Sequence, residues 1–504
     1  MRHRLASAEW RRLARLFAAL VGLGVAVALA PAASAAAASD DSIDRQRVGD
    51  WLDARVPDRM REAKLPGFSI AVVRDGATVY AGGFGARDPA RGLPATADTL
   101  FGIGSVTKSF VAIAILQLAD EGRLRLDDPV SKYVPLELGL PGRPITIHHL
   151  LTHTAGFPNL DTSNVLISRG LGRDTGVPMA STADFYRFVN GAKDEVRFAP
   201  GERYFYSNES WRMLGHIVQA VSGQPFHRYI SERILRPLGM VRTTFVPARV
   251  LEDPDHLTPH RIGENGVEAT PLPYPNPDDN PDFAFLSAAG GLFSSAREMT
   301  SYVNALIARG GYGGGRLAKE ESVARMQTEQ IRIGEDLFGP YGYGYGLGVS
   351  DLLGQRLLSH GGSISVSTAY MAFIPTLGIG VVMMGNGAGF DYETLTHEVL
   401  ALLMGHDPES VLPGVAIARR MDRLVGEYAI YGGLSTMSVT HRDGLLWLGA
   451  GGGPDTPLVP EDRAYATGRF RLLRDGDESV IEFVDDANDG ISAIVDRNVF
   501  HKRD

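Results

Sequence analysis

Ser105 and Lys108 stand three residues apart in Ser105-Val-Thr-Lys108, directly before the apolar run Ser109-Phe-Val-Ala-Ile-Ala-Ile-Leu-Gln-Leu118. Residues at i and i+3 share one face of a helix, so the lysine amine can reach the serine hydroxyl. A serine hydroxyl is a weak nucleophile until a neighbouring base removes its proton. An apolar surrounding supplies that base, because burial disfavours the ammonium form and lowers a lysine's pKa. The pair points to acyl transfer through a serine ester. Taken alone, the same residues also describe a helix N-cap serine followed by a solvated lysine. A phosphate-binding loop is excluded, since that motif requires glycine directly before the lysine and Thr107 stands there.

A lysine-activated serine needs a proton path to the leaving group and donors for the oxyanion. Tyr206 and Asn208, two residues apart in the turn-rich Pro200-Gly-Glu-Arg-Tyr-Phe-Tyr206-Ser-Asn208, offer a phenol and an amide. A tyrosine relays a proton when cationic neighbours lower its pKa. An asparagine can hold both a lysine and a substrate carbonyl. In Ser359-His360-Gly361-Gly362-Ser363, two glycines let a substrate backbone approach closely. A strand edge there places the Ser363 N–H as an oxyanion donor opposite the Ser105 N–H. Each segment read separately also fits a turn with packed side chains. His148, His149 and His153 have no carboxylate at ligand spacing beside them, so neither a metal nor any other cofactor is expected.

These residues need a frame. Residues 42–63 have helical periodicity, with Ile43, Val48, Trp51, Leu52, Val56 and Met60 as the buried face. Apolar runs at 67–73 and 78–84 flank Arg74-Asp75-Gly76, a hairpin pattern. The helix from Ser105 to about Gly122 is apolar nearly all round and belongs inside a large core. Residues 127–299 are proline-dotted and helical in pieces, including 211–222 and 226–235. Strands return at 370–374 and 379–384, followed by a helix at 392–404. An antiparallel sheet completed by both ends of the domain, with an inserted helical lobe, is an α+β arrangement, and the cleft between them is the natural site. The glycine-rich stretches 310–315, 341–348 and 449–453 read as loops. Beyond Pro413 short alternating strands predict a small all-β domain.

The chain has 504 residues, no cysteine and a net charge of −9. Disulfides, thiolate chemistry and cysteine-ligated metals are therefore excluded. Arg2, Arg4, Arg11, Arg12 and Arg15, an apolar stretch at 16–30 and Ala33-Ser34-Ala35 form the three parts of a signal peptide over residues 1–38. Its apolar part is shorter than the roughly 20 residues that span a bilayer. Export to the periplasm or the medium is the expectation, with no stable membrane span after cleavage. Loss of the leader makes the chain more acidic, which argues against nucleic acid as a partner.

Ser105-x-x-Lys108, Tyr206-x-Asn208 and His360-Gly-Gly362, in this order, resemble the three motifs of the penicillin-recognising serine hydrolases. The class C β-lactamase-like group of D-aminopeptidases, carboxypeptidases, esterases and β-lactamases is the most similar branch. Leu126-Asp-Asp-Pro-Val-Ser-Lys-Tyr133, Ile145-Thr-Ile-His-His-Leu-Leu-Thr-His-Thr-Ala-Gly156, Ile234-Leu-Arg-Pro-Leu-Gly-Met240 and Ala289-Gly-Gly-Leu-Phe-Ser294 carry the likeness from about residue 50 to 405. The resemblance implies a three-layer fold over residues 42–410, an antiparallel sheet between helices plus a helical lobe. It also implies acylation of Ser105, proton sharing by Lys108 and Tyr206, and orientation of lysine and substrate by Asn208. Most β-lactamases carry lysine where His360 stands. A neutral histidine there gives a substrate carboxylate one hydrogen bond instead of a permanent charge, which lowers the expected β-lactamase activity. Residues 415–504 are similar to lipocalin-like domains.

The expected function is an exported serine hydrolase acting on an ester or a D-amino-acid or peptide amide. The alternative is a penicillin-binding or sensing protein that deacylates slowly. The all-β domain is the candidate surface for homo-oligomerisation. Residues 159–177 and 271–285 are expected to rim the pocket, and Phe157, Tyr341, Tyr343 and Tyr345 are candidates to line it.

Overall fold

The structure, a computed structural model, describes residues 32–503 except 264–265, 337–338, 443, 451–452, 463–464, 475–476 and 487–489. The apolar part of the expected leader lies outside the described residues. The chain divides into two units, Met1–Gln46 and Arg47–Asp504. The first is described only as the start of helix α1 (Ala32–Glu62).

Within the second unit, nine strands form one antiparallel sheet. They are β1 (Gly67–Arg74), β2 (Ala77–Asp88), β3 (Leu93–Pro94), β4 (Ile331–Asp336), β5 (Gly339–Tyr343), β6 (Gly348–Leu352), β7 (Gln355–Ser363), β8 (Thr368–Ile374) and β9 (Ile379–Gly385). Their order is β4-β5-β6-β7-β8-β9-β1-β2-β3, so early strands complete a sheet built from late ones. Side chains of a strand alternate between faces. Val381 and Met383 of β9 accordingly join one apolar cluster, and Val382 and Met384 the other. The first cluster holds Val48, Leu52, Val56 and Met60 of α1 together with Leu395 and Val399. The second holds the helical lobe and helix α2 (Thr107–Asp120), buried from Thr107 to Leu118. Three layers result, as the resemblance implied, and the early and late strands share one sheet, as the α+β reading expected.

Strands β4 to β6 correct that reading, which placed a loop over 341–348. Tyr343 pairs with Ile331 and Gly342 with Arg332. A Cβ at Gly342 would lie 2.5 Å from the Ile331 carbonyl oxygen, so glycine here permits close backbone approach within a strand. Gly311–Tyr312 and Gly315–Arg316 likewise form a small hairpin in the 310–315 stretch.

The C-terminal part is a closed eight-stranded barrel, from Gly426–Ala429 through Asn498–Lys502, with each strand paired to its sequence neighbour. Tyr428, Met437, Leu446, Phe470 and Phe483 fill it, and Ile417 and Met421 of the preceding helix pack against that core. A cavity of about 690 Å³ opens between Met437, Leu448, Leu472 and Phe500. Tyr431 and Leu434 beside this mouth are 93% and 86% exposed. Among the described residues no helix is long and apolar enough to cross a membrane.

Candidate active site

Ser105 sits in a 3₁₀ turn, Gly104–Val106, that runs directly into α2. This puts Lys108 in the first turn of that helix, with its Nζ 2.9 Å from Ser105 Oγ. The same nitrogen lies 2.8 Å from Asn208 Oδ1 and 2.7 Å from the Ala289 carbonyl oxygen. Both of those oxygens can only accept. A neutral amine has two hydrogens, and these two acceptors take them. Its lone pair is left facing the Ser105 hydroxyl. Burial pushes the Lys108 pKa well below the ordinary lysine range; the Arg212 charge adds to this and Glu209 opposes it. The geometry and the electrostatics therefore favour the same protonation state.

Tyr206 completes the group. Its hydroxyl interacts with the Ser105 side chain, which favours the phenolate form. Its ring stacks on His153 at 4.3 Å, and the Lys108 amine lies 4.8 Å from the ring centroid. The sequence reading called on cationic neighbours to lower this phenol's pKa. In the structure burial raises it, and the Ser105 side chain and the Arg212 charge oppose that rise. Tyr206 is thus a neutral phenol, suited to passing a proton on, while the amine is the group able to receive one.

His153 is held from both edges. The Ser207 amide donates to Nδ1 at 2.9 Å, and the Trp211 indole N–H faces Nε2 at 2.9 Å. Neutral imidazole has one acceptor nitrogen, so only one of these is a full hydrogen bond. No space remains for a second proton, in line with the downward pKa shift that burial and the Lys108 charge impose. His149 accepts from Thr146 in a helix cap and His148 meets the Tyr345 hydroxyl at 2.9 Å.

The oxyanion side is built from two backbones in close contact. Gly104 has φ = +51°, and a Cβ there would lie 2.3 Å from the Ser363 nitrogen. A Cβ at Gly362 would lie 2.4 Å from the Ser105 nitrogen. Only glycine at both positions lets β7 pass this near the start of α2. Ser105 and Ser363 amides are thereby brought to the same place.

His360 departs from its expected use. Its Nδ1 donates to the Gly361 carbonyl at 2.6 Å, and its Nε2 accepts from the Tyr343 hydroxyl at 2.9 Å. The single N–H of the neutral ring is already committed, so His360 has none left for a substrate carboxylate. Burial, with the Lys108 charge second, pushes its pKa down to about 3.

Several site residues escaped the sequence reading. Glu209 and Arg212 are fully buried on helix α3 (Asn208–Ser222), directly after the Tyr206-x-Asn208 motif. Their spacing of three, on a helix with an apolar face, was the available signal. Ala289 gave none, because its contribution is a backbone oxygen. Tyr343 bonds His360 and does not line open space; Phe157 and Tyr345 are buried in the core. The two expected rim segments do meet: a Cβ at Gly170 would lie 2.7 Å from the Pro273 oxygen. Between them is a cavity of about 470 Å³ bordered by Leu166, Met179, Leu272, Tyr274 and Phe283. The Tyr274 hydroxyl lies 3.0 Å from the Cβ position of Gly290, next to Ala289.

The family model described as Beta-lactamase matches residues 52–403, and the Pab87 octamerisation domain matches residues 408–501. The chain is 30% identical to esterase EstB of Burkholderia gladioli over 69% of this chain and 92% of EstB. It is 28% identical to protein flp of Staphylococcus aureus (strain MW2) over 66% of this chain, and the match spans only 62% of flp. The octameric penicillin-binding protein homologue from Pyrococcus abyssi superposes with a TM-score of 0.79 at 34% identity, covering 90% of this chain and 99% of that one.

Proposed function

The chain belongs to the beta-lactamase family, and from that premise we propose that it is a serine hydrolase cleaving carboxylic esters through an acyl-enzyme on Ser105. Lys108 takes the hydroxyl proton as Oγ attacks the carbonyl carbon. The oxyanion faces the Ser105 and Ser363 amides, each such donor being worth about 10²–10³ in rate. The proton passes by way of Lys108 and Tyr206 to the leaving alkoxide. Water then attacks the acyl carbon as its proton passes to Lys108; the bond to Ser105 Oγ breaks, Lys108 returns the proton to that oxygen, and the acid leaves.

The observation that carries this reading is the Lys108 amine, with two oxygens that only accept and Ser105 Oγ at 2.9 Å. Asn208 holds both lysine and substrate. The committed N–H of His360 favours substrates without a free carboxylate on the leaving group, which supports an ester over a peptide with a free C-terminus. The 30% identity to an esterase supports the same choice. Export through the N-terminal leader belongs to this proposal. So does a homo-oligomer formed through the barrel, supported by the octamerisation-domain match.

The test is turnover of short-chain p-nitrophenyl esters beside D-amino acid anilides and a chromogenic cephalosporin, for the native chain and for Ser105→Ala. Turnover of the esters, reduced by at least about 10⁴-fold in the variant, is expected. Full activity in Ser105→Ala ends the proposal. An adduct that forms and persists by intact mass assigns the site to binding instead.

A further inference from the structure

The acyl-transfer scheme leaves Arg212 without a task, although it is a fully buried cation. On α3 it lies four residues after Asn208, on the same helix face as the residue that holds the lysine amine. Its guanidinium donates to the Thr162 hydroxyl at 2.6 Å, to the Ser163 hydroxyl at 2.9 Å and to the Leu286 carbonyl at 3.2 Å. All three acceptors are neutral. The balancing anion, Glu209, is reached through Thr162, whose hydroxyl donates to Glu209 Oε1 at 2.5 Å. Glu209 also accepts from the Thr162 and Leu160 amides and from the Ser207 hydroxyl. The relay therefore ties the 160–163 rim segment to the helix of Asn208. Through Leu286 it also ties in the turn that ends at Ala289.

We propose that Arg212 and Glu209 are a pair of positioning residues, opposed buried charges bridged by Thr162 that together tune how readily the buried Lys108 amine takes the Ser105 proton. This rests on the assignment of Lys108 as the base that activates Ser105. A charge held in a water-free interior acts over several ångströms with little screening. Arg212 opposes a second positive charge on Lys108, and Glu209 favours one. The other groups facing the amine are the Ser105 hydroxyl and the Tyr206 ring, with the imidazoles of His153 and His360 near enough to feel its charge. Burial holds both imidazoles neutral. Burial lowers the Lys108 pKa most, and the Glu209–Arg212 pair adds the two opposed charges that act on the amine.

The opposed signs give a signature that loss of packing does not. In the full-length protein with p-nitrophenyl butyrate, the acid limb of kcat/KM reports protonation of Lys108. Removing the cation by Arg212→Met makes protonation easier and moves the limb up by about one pH unit. Glu209→Gln moves it down by a similar amount, and the double variant returns to within about one unit of the native limb. Limbs that move in the same direction, or stay fixed while the rate falls, overturn the proposal. Should neither single variant fold, the double decides, and a limb displaced further than one unit overturns it. A native limb at ordinary lysine pH overturns it outright. Ester turnover that survives Ser105→Ala removes the underlying acyl-enzyme reading instead, a separate result.

Discussion

The Tyr343 hydroxyl lies 2.9 Å from His360 Nε2 and donates to it, because the only hydrogen of that ring is on Nδ1 and bonded to the Gly361 carbonyl. This pairing removes the third motif from charge recognition. Replacing His360→Lys restores a cation at the cleft. The native enzyme is expected to hydrolyse a free-carboxylate ester no faster than its methyl ester. The variant should gain about tenfold for the carboxylate form relative to the neutral one, as charge-assisted hydrogen bonds allow. Matched kcat/KM values check it, and a native preference for the carboxylate contradicts the assignment.

Tyr206→Phe removes the hydroxyl and keeps the ring that stacks on His153 at 4.3 Å. Loss of a proton relay costs about 10²–10⁴ in kcat. The melting temperature should stay close to native, since the stack survives. A variant with unchanged kcat would mean that Lys108 alone serves the leaving group.

Gly362→Ala places a methyl group 2.4 Å from the Ser105 nitrogen and 2.2 Å from the Ile103 oxygen. The two backbones must separate, and the oxyanion donors with them. A fall in kcat of about 10²-fold or more is expected, with the circular dichroism spectrum retained. Kinetics within threefold of native would show that Ser363 is no donor.

One buried and two half-buried histidines predict acid sensitivity. Burial lowers His148 and His216 to about 4 and His360 to about 3. An unfolded chain binds protons at these sites near pH 6.5, and the folded chain does so only near 3 or 4. Stability therefore rises with pH from about 4 to 6.5, and above that these groups no longer change it. Thermal melts at pH 4.5 and 7 should show the lower value at 4.5, and equal melting temperatures would refute buried neutral imidazoles.

The barrel gives a prediction on assembly. Leu412 still packs with the sheet-side core, whereas Ile417 and Met421 pack with the barrel. A chain ended after Leu412 keeps the hydrolase core whole. Sedimentation should give a multiple of the chain mass for the full-length protein and a single-chain mass for the shortened one. An unchanged stoichiometry would remove the barrel from assembly.

Much of the site was legible in the residues alone. Ser105 and Lys108 declare themselves because a helical turn brings i and i+3 together whatever surrounds it, and an apolar helix must be buried. Apolar runs around hairpin turns likewise announced the sheet ends, and short alternating strands announced a separate β domain, since period two follows from the pleat. What the chain could not announce was where distant backbones meet. Ala289 accepts from Lys108 across 181 residues, and Thr162 joins Glu209 to Arg212 from 47 and 50 residues away. Tyr343 reaches His360 because β5, β6 and β7 lie in register, in a stretch whose glycines read as a loop. Local sequence sets torsion preferences and which face is apolar. Whether a buried lysine loses its proton, a phenol keeps one, or a histidine has any donor to spare depends on partners that only the packed structure brings within 3 Å.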